Sequence, residues 1–88
     1  MKGDKFYEIK RLISKKLNQT FKRPYLAKSE AKDSYCYQVC CLLCKTGYLK
    51  RLKWGTYLVL RDTTEIGTYR ELFQLAYNKD KYKDGVKI

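Results

Sequence analysis

The sequence predicts one small domain of α+β class, mainly helical, with a single β-hairpin between its third and last helices. Three observations carry this. Apolar residues recur at helical spacing over 5–17 and again over 34–46. After Gly47 the pattern changes to two runs rich in Tyr, Leu, Val and Thr on either side of Trp54-Gly55, which is a hairpin signature. Thr68-Tyr69-Arg70-Glu71 then forms a T-x-x-E capping box directly before Leu72, Phe73, Leu75 and Ala76. With 88 residues there is room for one small core.

The first helix is expected over Lys5–Leu17, where Phe6, Ile9, Ile13 and Leu17 form the buried stripe and Leu12 widens it. Glu8, Arg11 and Lys15 fall opposite. Lys10 and Lys16 flank the stripe, where their stems can cover it with the ammonium groups in water. Asn18 is the expected stop. Gln19–Arg23 suits a short extended piece. Pro24, the one proline, fits the first position of a second helix over Tyr25–Lys32, with Leu26 and Ala27 as its apolar contacts. A third helix should start at an Asp33 or Ser34 cap and run to about Thr46, closed by a left-handed Gly47. The hairpin strands are Tyr48–Lys53 and Thr56–Arg61. The core is expected within 5–62, the C-terminal helix at about 69–78, and a frayed tail over 79–88.

Charge narrows the function. Twenty Lys+Arg against nine Asp+Glu leave +11, above the magnitude of about 2–8 that suffices for solubility. The excess sits in residues 1–62, with fifteen bases and five acids, whereas 63–88 is nearly balanced. Such asymmetry suits a surface built for a polyanion. Histidine is absent, which removes the commonest general base and His-based triads, so no enzyme is expected. No apolar run approaches the ~18 residues of a membrane span. The opening MKGDKFYEIK lacks the apolar stretch of a secretory signal, which predicts an intracellular, non-secreted protein.

Cys36, Cys40, Cys41 and Cys44 lie within one predicted helix. Disulfide geometry is poorly served by that spacing. The Cys36-x4-Cys41-x2-Cys44 spacing coincides with three ligands of plant-type ferredoxins, but no downstream fourth cysteine follows and the glycines of a cluster loop are missing. One straight helix cannot converge four thiolates tetrahedrally on zinc either. No metal, cofactor or small-molecule ligand is therefore expected. At ~100° per residue, Cys36, Val39, Cys40, Leu43 and Cys44 share one face as small core residues. Cys41 points the other way, onto a face with Ser34, Tyr37, Gln38 and Lys45.

The stretch SYCYQVCCLLCKTGYLKRLKWGTYLVLR resembles the recognition helix and wing of the winged helix-turn-helix superfamily. Lys45-Thr46-Gly47-Tyr48-Leu49, Lys50-Arg51-Leu52-Lys53 and Gly55-Thr56-Tyr57 match the helix exit, basic strand, turn and aromatic return strand in order. The resemblance covers roughly residues 5–62 and departs from the usual pattern where cysteines replace leucine, valine or alanine. It implies a three-helix core with a wing, residues 34–45 in a DNA major groove and the hairpin on the backbone or in the minor groove.

The expected contacts to double-stranded DNA are Ser34, Tyr37, Gln38, Cys41 and Lys45 on the helix and Lys50, Arg51, Lys53 and Trp54 on the wing. Gln38 can pair with adenine, Lys45 can reach guanine or phosphate, and Tyr37 and Ser34 suit phosphate oxygens. A small sequence-specific transcriptional regulator is the leading expectation. An RNA-binding or ribosome-associated domain and a protein-interaction module are the alternatives. Apolar residues at Leu58, Leu60, Leu72, Phe73 and Leu75 predict a homodimer with 69–78 in or beside the interface, reading half-sites about one helical turn apart.

Overall fold

A computed structural model describes residues 4–85, with side chains over 5–77. The elements are α1 (Asp4–Ser14), β1 (Thr20–Lys22), a 3₁₀ segment (Arg23–Ser29), α2 (Asp33–Lys45), β2 (Leu49–Lys53), β3 (Thr56–Val59), a short 3₁₀ turn (Thr63–Glu65) and α3 (Tyr69–Gly85). The fold is α+β, with a three-stranded antiparallel sheet in the order β1-β3-β2.

Helix α1 buries Phe6, Ile9 and Ile13 as its spacing requires. It stops at Ser14 rather than Leu17. Asn18 takes a left-handed φ of 65°, which asparagine tolerates better than most residues. Its N–H then donates to Val59 O at 2.9 Å, and Val59 N–H donates to Gln19 O at 2.9 Å. These ladder bonds draw 17–19 onto the sheet, and Leu17 becomes a bridge partner of Val59 instead of a helix residue. Lys10 also departs from expectation. Its residue is buried, and the ammonium donates to Ile66 O at 2.6 Å and Gly67 O at 3.0 Å, carbonyls of the link to α3 that no helix satisfies.

The predicted second helix is a 3₁₀ segment over 23–29, with Pro24 at its start. A three-residue period puts Leu26 and Ser29 on the buried side. Ala27, expected as an apolar contact, is consequently exposed. Ser29 Oγ donates to Leu26 O at 2.7 Å, and left-handed Glu30 closes the segment.

Helix α2 buries Cys36, Val39, Cys40 and Leu43. Cys44, assigned to the same stripe, is only half-buried against the core. Neither Asp33 nor Ser34 caps the helix. Lys32 occupies the N-cap, and its ammonium has no acceptor to offer the first-turn N–H groups; the Asp33 carboxylate pairs with Arg23 instead. At the other end, Gly47 at φ 90° donates to Cys44 O and Tyr48 N–H donates to Leu43 O at 2.9 Å. That pair of bonds is a Schellman motif, and it turns the chain directly into β2.

In the hairpin Lys50 opposes Leu58, Arg51 opposes Tyr57 and Lys53 opposes Thr56, with a register shift between Arg51 and Lys53. On the other side of β3, Thr20, Phe21 and Lys22 oppose Leu58, Tyr57 and Thr56. Phe21, Leu49, Tyr57 and Val59 face the core. Leu52 and Leu60 are exposed and Leu58 is half-buried, so the outer sheet face is open among the described residues. Helix α3 packs on α2. The T-x-x-E box forms as expected: Glu71 N–H donates to Thr68 Oγ1 at 3.1 Å, and Glu71 Oε1 accepts from Thr68 N–H at 3.2 Å and Gly67 N–H at 2.7 Å. Ile66, Leu72 and Ala76 are buried, so the core extends past residue 62. Leu72 is core rather than free surface. The helical backbone continues to Gly85 where pattern alone stopped it near Asn78; of the tail expected to fray, 86–88 lie outside the described residues. No described helix is long and apolar enough to cross a membrane.

Candidate nucleic-acid interface

The 100° spacing along α2 exposes Ser34, Tyr37, Gln38 and Lys45 and leaves Cys41 half-buried. On the hairpin Lys50, Arg51, Lys53 and Trp54 are exposed. Strand alternation divides these. Lys50 lies in the outward row with Thr20 and Leu58, whereas Arg51 shares the row of Phe21 and Tyr57 on the α2 side. The structure thus brings Arg51 and Trp54 to α2 and holds Lys50 on the opposite sheet face.

The join between α2 and the hairpin tip is aromatic. The Tyr37 and Trp54 rings lie 6.3 Å apart at 45°. The Arg51 guanidinium sits 6.0 Å from the Trp54 centroid. Arg23, which the sequence did not single out, completes the cluster at 5.2 Å from Tyr37 and 5.9 Å from Trp54. Such cation–π contacts contribute about 0.5–1 kcal/mol each at exposed sites and more when desolvated. Arg23 is fixed at both ends. Its N–H donates to Gly55 O at 2.9 Å, and its guanidinium makes two bonds to Asp33, at 3.2 and 3.4 Å. Hydrogen bonding to Asp33 holds the guanidinium above its usual pKa, so it stays charged. Its Nη1 is shielded from solvent without a hydrogen-bond partner.

The one available signal for Arg23 was Asp33, the sole carboxylate between Glu30 and Asp62. An acid on so basic a surface calls for a cation, but nothing local says which. Beyond Arg23 a cleft of about 340 Å³ opens between the turn and the start of the 3₁₀ segment, lined by Lys22, Arg23, Pro24, Lys53, Trp54, Gly55 and Thr56. Lys22 and Lys53 flank Thr56 on the two neighbouring strands. Asp33, already neutralised by Arg23, is the only carboxylate in the cluster.

The cysteines are free thiols. Desolvation pushes the thiols of Cys36, Cys40 and Cys44 above their usual range. Cys41 lies beside Tyr37, where its hydrogen bonding raises the phenol's pKa. Among the described residues no group of three or more His, Cys, Asp or Glu could hold a metal ion. The arrangement gathers cations, an amide, hydroxyls and open aromatic surface around the α2–hairpin join. Comparison with known proteins finds no matching family model, no matching curated protein and no matching solved structure.

Proposed function

We propose that this chain is a sequence-specific double-stranded DNA-binding protein of winged-helix architecture, acting without catalysis as a small transcriptional regulator. One observation carries the reading: the Tyr37–Trp54 contact, bracketed by Arg23 and Arg51, unites the outer face of α2 and the hairpin tip in one cationic, acid-poor surface. The element order and the β1-β3-β2 sheet are compatible with a wing. In this reading α2 enters the major groove, with Ser34, Tyr37, Gln38, Cys41 and Lys45 toward it. Arg51 and Trp54 follow the backbone, Lys53 reaches it from beside Thr56 and Lys22 past the register shift, and Lys50 supplies charge from the far sheet face.

Selection from random duplexes identifies the preferred site, and two variants then separate reading from holding. Gln38→Ala should cost about 1–3 kcal/mol on the preferred duplex and much less on random sequence, because an amide pair is lost only where the right base stood. Lys53→Ala should weaken all duplexes alike and lower the salt slope by about one unit, because a phosphate contact releases a counterion whatever the sequence. Equal losses from both variants on both duplexes would sink the assignment of α2 as a reading helix.

The assembly proposed is a homodimer through α3. With Leu72 in the core, the surface left to it is Phe73, Leu75 and Tyr77, 37, 44 and 60 % exposed. Phe73 and Tyr77 already pack edge-on at 4.6 Å. Light scattering should give a dimer mass that falls on dilution. A monomer mass at about 100 µM would exclude the dimer.

A further inference from the structure

We infer that the hairpin tip is a site for one unstacked nucleotide of DNA, its base on the Trp54 indole and its phosphate between Lys22 and Lys53. This rests on the reading of the face as DNA-binding and adds a substrate preference to it: DNA carrying an unpaired nucleotide over fully paired duplex.

Trp54 is the sole tryptophan of the chain and is 73 % exposed, the most open large apolar side chain among the described residues. It is nonetheless oriented. Gly55, at φ 77°, sets the turn beneath it, and the Arg23 N–H ties that turn to β1 through Gly55 O. Tyr37, Arg23 and Arg51 brace the ring. A held but open indole has a π-face to offer, and stacking on a base is how such a face binds nucleic acid without regard to sequence. The adjoining cleft of about 340 Å³ is at the small end of ligand sites, which begin near 300 Å³. Its volume suits one small group. Lys22 and Lys53 line it from the strands on either side of Thr56, and two lysines so arranged suit a single phosphate.

A base inside a duplex has both faces covered by its neighbours, so it can reach the indole only by leaving the stack. Extraction from paired DNA opposes binding, and a base that is already unpaired escapes that opposition. The preference for an unpaired nucleotide follows from the indole's exposure and the pocket's size together.

The single tryptophan supplies the readout. The protein is titrated with a fully paired duplex and with the same duplex carrying one extra, unpaired thymidine, following Trp54 emission and affinity by anisotropy of the labelled DNA. The unpaired thymidine should quench the emission and tighten binding on the order of tenfold. In Trp54→Ala the ratio of the two affinities should fall to one, and Trp54→Phe, which keeps a ring, should retain part of it. Circular dichroism verifies that the variants are folded. Binding of both duplexes with equal affinity and no added quenching overturns the nucleotide site and leaves the proposed function standing. So does a preference that survives in Trp54→Ala. Failure to bind either duplex at low salt removes the proposed function and this inference with it.

Discussion

Tyr57→Ala should lower unfolding stability by about 3–5 kcal/mol in urea titrations followed by circular dichroism. At 0.05–0.15 kcal/mol per residue, a chain of this length holds roughly 4–13 kcal/mol in all. The variant would thus be near the edge of folding. Tyr57 is 1 % exposed and heads the fully buried side chains in volume. It lies on the central strand, opposite Phe21 on one side and Arg51 on the other. Its ring stands 5.5 Å from that of Phe21. Truncation leaves a cavity under both strand pairs at once. Tyr57→Phe keeps the ring and should lose no more than about 1.5 kcal/mol. If alanine were as mild as phenylalanine, the packing of β3 against the core would not be as described. Losing this ring should also loosen the hairpin tip, so the proposed DNA binding should weaken in Tyr57→Ala well before global unfolding.

Stability should stay level through neutral pH and fall steeply above about pH 9. Cys40 is fully buried among apolar neighbours, and desolvation raises its thiol far above the ordinary 9.0. The unfolded chain gives up that proton near 9 and the folded chain keeps it. Unfolded molecules therefore bind fewer protons, and stability declines by about 1.4 kcal/mol per pH unit for each such group until its folded pKa is reached. Cys36 and Cys44 act in the same direction for the same reason. So do Tyr25, Tyr35, Tyr48 and Tyr57, whose phenols burial raises above 10.0. Lys10 opposes them. Desolvation lowers its ammonium below 10.5, so the folded chain releases that proton first and gains stability as pH rises through the lowered value. One group against many leaves the net slope negative. Urea titrations at neutral pH and near pH 10 measure it. Cys40→Ala should cost stability at both but show a shallower decline between them. An unchanged stability near pH 10 would mean that the thiols are not enclosed.

What the residues determined by themselves is whatever depends on neighbours three or four positions away. The Thr68–Glu71 box, the Schellman exit at Gly47, the stripe of Phe6, Ile9 and Ile13, and the exposed face of Ser34, Tyr37 and Gln38 follow from backbone geometry and helical period. The turn at Trp54-Gly55 belongs to the same class, since only a short link with a positive-φ glycine joins such strands. Elsewhere the tertiary structure decided, because distant partners outbid local preference. Leu17 leaves its helix for a bridge to Val59. Residues 23–29 adopt a three-residue period to bury Leu26 with Ser29, and Lys10 turns inward to carbonyls more than fifty residues away. The face proposed for DNA divides in the same manner. Its helical half is a matter of period, visible in the chain order alone. Its clasp, Arg23 between Asp33, Tyr37 and Trp54, exists only because β1 pairs with β3 and carries Arg23 to the hairpin tip, a pairing that a three-residue strand does not announce.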